Sequence, residues 1–279
     1  MIDTHVHVVP PNLPGVGPLS PALRGSPDNV ARIVREQMLE GGFQFALAMG
    51  SLSQFDDDPL GVQHTLRIAE QVAGLYAIGV ANPERTDPDF LRRVDAVLKA
   101  RRVVALKAYL GYLHYPPAHD NYRPYYELAA RYRLPVVFHT GDTYSPNAKL
   151  KFAHPLGVDE VAVDHPEVHF VIAHIGNPWT VDAAEVVYKN MNVWADLSGL
   201  LVGQEGDFAD PDGAAARHDV LERIRLAWRY AERPNRFVYG SDWPLAPMRS
   251  YRDFIRQAIP EAFHEMIFVE NAQLLFGVS

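Results

Sequence analysis

The chain has 279 residues, 48% hydrophobic and 22% charged, with no cysteine. This composition excludes a disordered or collagen-like chain, and the missing cysteine excludes a disulfide framework, an iron–sulfur cluster and a thiol nucleophile. The formal charge of −8 argues against a general affinity for nucleic acid or anionic membrane, because surfaces that neutralise phosphates carry excess Lys and Arg.

In chain order, β-rich apolar runs recur roughly every 30 residues, and most are near-continuous, as expected of strands buried on both faces. The first, 2–9, leads into a long loop over 10–27 that is rich in Pro and Gly. Ser26-Pro27-Asp28 then reads as a helix start, with a capping hydroxyl and a Pro in the first turn, and Val30, Ile33, Val34 and Met38 give that helix one apolar face. After the second run, 43–49, the acidic triplet Asp56-Asp57-Asp58 reads as a solvated helix start rather than a cation site. The third run is 75–80; Asp87-Pro88-Asp89 opens a helix whose apolar face is Leu91, Val94, Val97 and Leu98. The fourth run, 103–110, precedes a helix with Tyr125, Leu128, Ala129 and Tyr132 on one side. The fifth and sixth, 135–139 and 169–175, flank a segment in which His154 reads as part of a helix entry. After the seventh, 193–197, come a polar, acidic loop over 199–213 and a helix bearing Val220, Ile224, Ala227 and Trp228. The eighth is 237–239. Eight strand–helix units predict an α/β protein, a single (β/α)8 TIM-barrel domain over 1–279. A doubly wound sheet would leave runs unused, and no Gly-rich phosphate fingerprint follows the first strand. No apolar run reaches the ~18–20 residues of a spanning helix, and the N-terminus lacks the pattern of a signal peptide. The expectation is a cytoplasmic protein that binds neither membrane nor nucleic acid.

Polar residues break these strands at particular places. His5 and His7 are two apart on the first strand, so both imidazoles share one face. Lys107 in VVALKAYLGY, His139 in LPVVFHTGD, His174 in FVIAHIGNPW and Asp242 in FVYGSDWP each end an apolar run. In a parallel barrel all those ends converge on one mouth, where active sites sit. Burying such groups without compensation costs several kcal/mol. A divalent cation shared between nitrogen and oxygen ligands is the simplest compensation; two ordinary structural histidines are the bland alternative for His5 and His7.

The order HxH on the first strand, His on the fifth and sixth, and Asp on the eighth resembles the amidohydrolase superfamily of metal-dependent barrels. FVIAHIGNPW, VYGSDWP and the closing VENAQLLFG are similar to its amidohydrolase-2 branch, and the resemblance runs from Asp3 to Gly277. That branch includes aminocarboxymuconate-semialdehyde decarboxylase, aromatic-acid decarboxylases, lactonases and other hydrolases. The resemblance implies that His5, His7, His139 and Asp242 hold one metal, commonly zinc, and that His174 is a catalytic acid, base or electrostatic group. It also implies an alternative with two ions, in which a carboxylated Lys107 bridges them and His139 and His174 serve the second. An unmodified Lys107 beside a dication must be neutral or turned toward an anionic substrate; the single-ion reading, with Lys107 facing substrate, is preferred.

The expected activity is hydrolysis of a C–O or C–N bond in a small carbonyl compound, with Asp242 as proton carrier and His174 at the developing oxyanion. Decarboxylation of an aromatic or unsaturated acid is the alternative. Tyr109, Tyr112, Trp179 and Trp243 are candidate pocket walls, Asn177 and Thr140 candidate hydrogen-bonding groups, and Arg24 a candidate contact for an acidic substrate. Relatives implied by the resemblance are often dimers, which makes a homodimer a further expectation.

Overall fold

The computed structural model describes residues 1–17 and 19–279; Pro18, in the long first loop, lies outside the described residues. The apolar runs become strands β1 (Ile2–Val6), β2 (Phe45–Met49), β3 (Leu75–Val80), β4 (Val103–Ala108), β5 (Val136–Phe138), β6 (Phe170–Ile172), β7 (Val193–Asp196) and β8 (Phe237–Val238). They pair in sequence order, each neighbour parallel. Parallel neighbours require a crossover, supplied by α1 (Pro27–Gly41), α2 (Gln63–Ala69), α3 (Pro88–Lys99), α4 (Arg123–Tyr132), α5 (Leu150–Ala153) with α6 (Leu156–Asp164), α7 (Thr180–Lys189) and α8 (Ala214–Ala231). Beyond β8 come α9 (Met248–Arg256) and α10 (Asn271–Phe276). The architecture is the (β/α)8 barrel that the eight-fold pattern predicts.

Local chemistry explains the helix starts. The Ser26 hydroxyl accepts the Asn29 N–H, with Pro27 in the first turn of α1. The Asp87 carboxylate accepts the Phe90 N–H at 2.9 Å, at the start of α3. Within the acidic triplet, Asp58 accepts the N–H groups of Val62 and Gln63 at 2.8 and 3.2 Å, and Asp56 pairs with Arg85 and Arg93. That is a capped helix entry in solvent, not a cation site.

Most strands are shorter than their apolar runs. The β6 ladder stops just before the left-handed His174 (φ 57°), and beyond the short β8 the chain runs on to the left-handed Asp242 (φ 61°). His139, His174 and Asp242 lie past the ends of β5, β6 and β8 rather than within them.

Alternation within the strands then divides the side chains. Leu47, Ile78, Ala105, Val137, Val171, Trp194 and Val238 form one buried cluster with Ala272, Leu275 and Phe276 of α10, which closes the lower end of the barrel. Residues two further along a strand share that face, so Lys107 follows Ala105, His139 follows Val137 and Asp196 follows Trp194. An apolar floor thus supports a polar layer. No helix among the described residues is long and apolar enough to cross a membrane.

Candidate metal centre

The barrel closes where the two ends of the chain meet. Past β8, the Tyr239 carbonyl accepts the Thr4 N–H at 2.9 Å, the Asp242 N–H donates to the His5 carbonyl at 2.8 Å, and the His7 N–H donates to the Trp243 carbonyl at 2.6 Å. These bonds fix Asp242 against His5 and His7 although 237 positions separate Asp242 from His5 in sequence (242 − 5). Gly240 permits the approach, because a Cβ there would lie 2.6 Å from the His5 Cβ. The β1–β2 register also shifts between Asp3 and Val6, an irregularity of the kind that re-aims a side chain.

At this seam Asp242 Oδ1 lies 3.3 Å from His7 Nε2 and 3.6 Å from His5 Nε2. One donor atom from each of the three residues lies within 4.8 Å of the other two. His5 Nδ1 is 2.9 Å from Asp196 Oδ2. An ionised carboxylate only accepts, so Nδ1 carries the proton and Nε2 presents a lone pair. His5 Nε2 and Asp242 Oδ1 are both buried with no hydrogen-bond partner. Unpartnered buried atoms are expensive. A neutral imidazole and a carboxylate converging on one space, with the imidazole's far nitrogen held by a second carboxylate, fit a divalent cation.

The electrostatics agree. Burial and then the Lys107 ammonium lower His5 to about 4, against the opposing pull of Asp196, so the ring is neutral at pH 7. Burial pushes the Asp242 carboxyl upward, but the close approach of His7 and the imidazoles of His5 and His174 outweigh it and hold the group below the usual carboxylate range. Asp196 is likewise held low, burial being outweighed by His5, His174 and the Ser198 hydroxyl.

His139 and His174 form an adjoining pair. His139 Nε2 faces the Asp142 carbonyl at 2.9 Å and must donate to it, which leaves Nδ1 as a lone pair. His174 Nδ1 faces the Ser198 carbonyl at 3.2 Å and the Ser198 hydroxyl at 2.9 Å, which leaves Nε2 as a lone pair. Those two lone pairs face each other at 3.2 Å, an arrangement that needs a proton or a cation between them. Burial is the main cause lowering both rings. His139 thus shares the pocket with His5, His7 and Asp242 but contacts His174, and it lies outside their compact triple.

The other expected residues divide. Lys107 lines the same pocket, 1% exposed and with no partner for its ammonium. Tyr109 and Tyr112 also line it; the Tyr109 hydroxyl donates to the Gly50 carbonyl at 2.8 Å, and the Tyr112 ring packs on His139 at 4.8 Å. Asn177 is at the wall, its Oδ1 accepting from Arg223 at 2.8 Å. Trp179 and Trp243 do not line this pocket. Trp179 precedes α7 and packs on His154 at 4.7 Å. Trp243 is buried in the core cluster that includes the apolar faces of the helices, because the left-handed turn at Asp242 sends the next side chain away from the mouth. Thr140 spends its hydroxyl on the Ala173 carbonyl, and Arg24 is exposed outside the lining.

Three participants escape the sequence reading: Asp196, Ser198 and Gly199. Asp196 anchors His5, accepts the His174 N–H at 3.0 Å and takes a close hydrogen bond from Ser198. His5, His174 and Asp196 also have converging donor atoms, but the Ser198 hydroxyl and the His5 hydrogen bond already occupy them. Asp196 is itself a charged residue ending an apolar run, the same signal that singles out Asp242. Gly199 (φ 62°) lies so close that a Cβ would sit 2.8 Å from both Asp242 Oδ2 and His174 Nδ1. The pocket is also lined by Leu13, Val16 and Leu19 of the first loop, and Leu13 packs with Tyr109 and Tyr112.

Comparison with known proteins agrees with this architecture. No match is found among curated proteins. A probable 2-pyrone-4,6-dicarboxylic acid hydrolase from Acinetobacter baumannii is 18% identical, with TM-score 0.65 over 99% of this chain and 98% of that one. An uncharacterised TIM-barrel protein from Bordetella bronchiseptica is 16% identical, with TM-score 0.68 over 99% of both chains. A 5-carboxyvanillate decarboxylase from Sphingomonas paucimobilis is 17% identical, with TM-score 0.59 over 100% and 99%. At such identities these likenesses carry the fold alone. The amidohydrolase-2 family model matches residues 2–278, and on that match the chain belongs to the amidohydrolase-2 family.

Proposed function

We propose that this protein is a metal-dependent hydrolase that cleaves a C–O or C–N bond in a small carbonyl compound, with one zinc ion. His5, His7 and Asp242 would hold the ion, with His139 as the fourth candidate ligand. The observation that carries the reading is the pair of buried, unpartnered atoms His5 Nε2 and Asp242 Oδ1, facing each other while Asp196 anchors the far side of His5. When bound, the cation supplies Lewis acidity that polarises a carbonyl and makes water a competent nucleophile near neutral pH.

The chain's own residues do the rest. Asp242 accepts the proton of the attacking water and passes it to the leaving oxygen or nitrogen, since its carboxylate opens on the pocket at the seam. His174 lines the pocket with its Nε2 beside His139 Nδ1 at 3.2 Å; with a proton taken up from solvent on that Nε2, the imidazolium would stabilise the charge that develops on the substrate oxygen. Leu13, Val16 and Leu19 of the first loop give the pocket an apolar surface for the substrate's frame. Similar folds include both the Acinetobacter hydrolase and the Sphingomonas decarboxylase, so the decisive experiment separates the two reactions.

Purified protein, supplied with zinc and assayed for metal content, is offered lactones, amides and hydroxybenzoates. Release of alcohol or amine supports hydrolysis; release of carbon dioxide from the hydroxybenzoates overturns it in favour of a decarboxylase. Failure to retain any cation overturns the metal-dependent reading as a whole.

A further inference from the structure

The turn that follows β7 is closed by a side chain from another element. Leu197, Ser198, Gly199 and Leu200 come directly after the strand, and Gly199 has a φ of 62°, the positive value that tight turns use at their third residue. Such a turn is commonly closed by its first carbonyl accepting its fourth N–H. Here a phenol stands between the two. The Tyr251 hydroxyl donates to the Leu197 carbonyl at 2.6 Å and accepts the Leu200 N–H at 3.0 Å. Tyr251 belongs to α9 and is fully buried, its ring centroid 6.1–6.2 Å from those of Phe208, Tyr239 and Phe254. A rigid aromatic cluster therefore sets the path of a loop that no strand ladder holds.

That loop carries the only holder of His174 Nδ1 among the described residues. The Ser198 hydroxyl is buried and has one proton, yet it reaches three groups: Asp196 Oδ1 in close contact, His174 Nδ1 at 2.9 Å and His5 Nδ1 at 3.1 Å. An ionised carboxylate cannot donate, so the proton goes to Asp196 and the oxygen's lone pairs are left to accept from the imidazoles. The Ser198 carbonyl faces the same His174 nitrogen at 3.2 Å. Both acceptors of the His174 Nδ1–H thus come from one residue, inside the turn that Tyr251 closes. His5 depends on Ser198 less, because Asp196 Oδ2 holds its Nδ1 at 2.9 Å.

We propose that Ser198 and Tyr251 are positioning residues for His174: Ser198 fixes the ring with its proton on Nδ1 and its Nε2 toward the pocket, and Tyr251 holds Ser198 in place to do so. The inference rests on the role given to His174 in the hydrolytic reading and deepens it by assigning what aims that ring. Neither Ser198 nor Tyr251 lines the pocket, so both act through the imidazole and not on substrate. A ring released from this cradle could turn or exchange its tautomer, and a preorganised site loses rate steeply when one donor is misaimed.

The test is magnetic resonance of the full chain, supplied with zinc and carrying isotope-labelled histidine. In wild type the His174 Nδ1–H should give a proton signal in slow exchange with water, assigned by its loss in His174→Gln. Ser198→Ala and Tyr251→Phe each delete one hydroxyl and should speed that exchange about fivefold or more, while the His5 Nδ1–H, held by Asp196, stays as in wild type. With p-nitrophenyl acetate as probe, both variants should lower kcat by about 10–100-fold at unchanged KM and zinc content, and neither should lower it further in a His174→Gln background. Unchanged exchange in both variants, a His174 proton on Nε2 in place of Nδ1, or losses that persist without His174 would overturn the inference. So would a fall in zinc content that accounts for the lost turnover, since the turn would then serve the metal ligands. A wild-type protein that leaves the ester intact counts against the hydrolytic reading, and the exchange measurement still decides whether Ser198 and Tyr251 hold the ring.

Discussion

Asp242 combines three features that its neighbours share only in part: a left-handed backbone, a hydrogen bond across the barrel seam and an unpartnered carboxylate oxygen in the pocket. Asp242→Asn keeps the shape and removes the charge and the basicity. Turnover should fall by at least about 10²–10⁴-fold, with circular dichroism and thermal midpoint close to wild type; an Asn variant as active as wild type would remove Asp242 from the mechanism. Asp196 is expected to act one step back, through His5. Asp196→Asn weakens the acceptor that holds the His5 tautomer, and zinc affinity should drop by about 10–100-fold, measured by competition with a chromogenic chelator. Gly199 offers a purely steric test. Its φ of 62° strains any side chain, and an alanine methyl would press on Asp242 and His174 at 2.8 Å. Gly199→Ala should therefore depress activity and zinc affinity together, whereas an unchanged enzyme would show that this loop moves freely.

At the scale of elements, the helix starts are the most local feature and the easiest to read. Ser26 and Asp87 each satisfy an N–H three residues ahead, which needs only a short polar side chain and a following Pro. Asp87→Ala leaves that donor of α3 without its cap and should cost about 1 kcal/mol, seen as a lower denaturant midpoint at unchanged slope. The strands were legible as apolar runs, but their ends were not. The ladder of β8 covers only Phe237–Val238, and the path of the chain beyond it is set by backbone angles at Asp242 that no periodicity announces. The two tryptophans illustrate the consequence. Next to catalytic candidates in sequence, Trp179 and Trp243 are natural choices for pocket walls, yet a single left-handed turn or helix entry sends each ring elsewhere.

At the scale of the whole molecule, the buried tyrosines report on the intact barrel. Burial raises Tyr109, Tyr122, Tyr125, Tyr126, Tyr239 and Tyr251 above the ordinary phenol range. The native state keeps these protons where the unfolded chain releases them, so the stability they confer is present below pH ~10 and is lost as pH rises above it. Absorbance at the phenolate band should rise together with the loss of circular dichroism; ionisation of these groups in a still-folded barrel would contradict their burial. By itself the sequence determined the barrel, its helix caps and the polar residues at strand ends, because apolar periodicity, capping chemistry and interrupted strands are written in neighbouring residues. It marked His5, His7, Lys107, His139, His174 and Asp242 by that one signal, and the same signal was present but unread at Asp196. Only the tertiary structure decided which of them touch. The compact triple forms because β8 returns to β1 across the seam, His139 turns to His174 because the Asp142 carbonyl takes its other nitrogen, and Gly199 matters because the chain after β7 passes directly over the site. Each is a contact between distant segments, set by backbone closure and packing, and no local pattern in the chain encodes it.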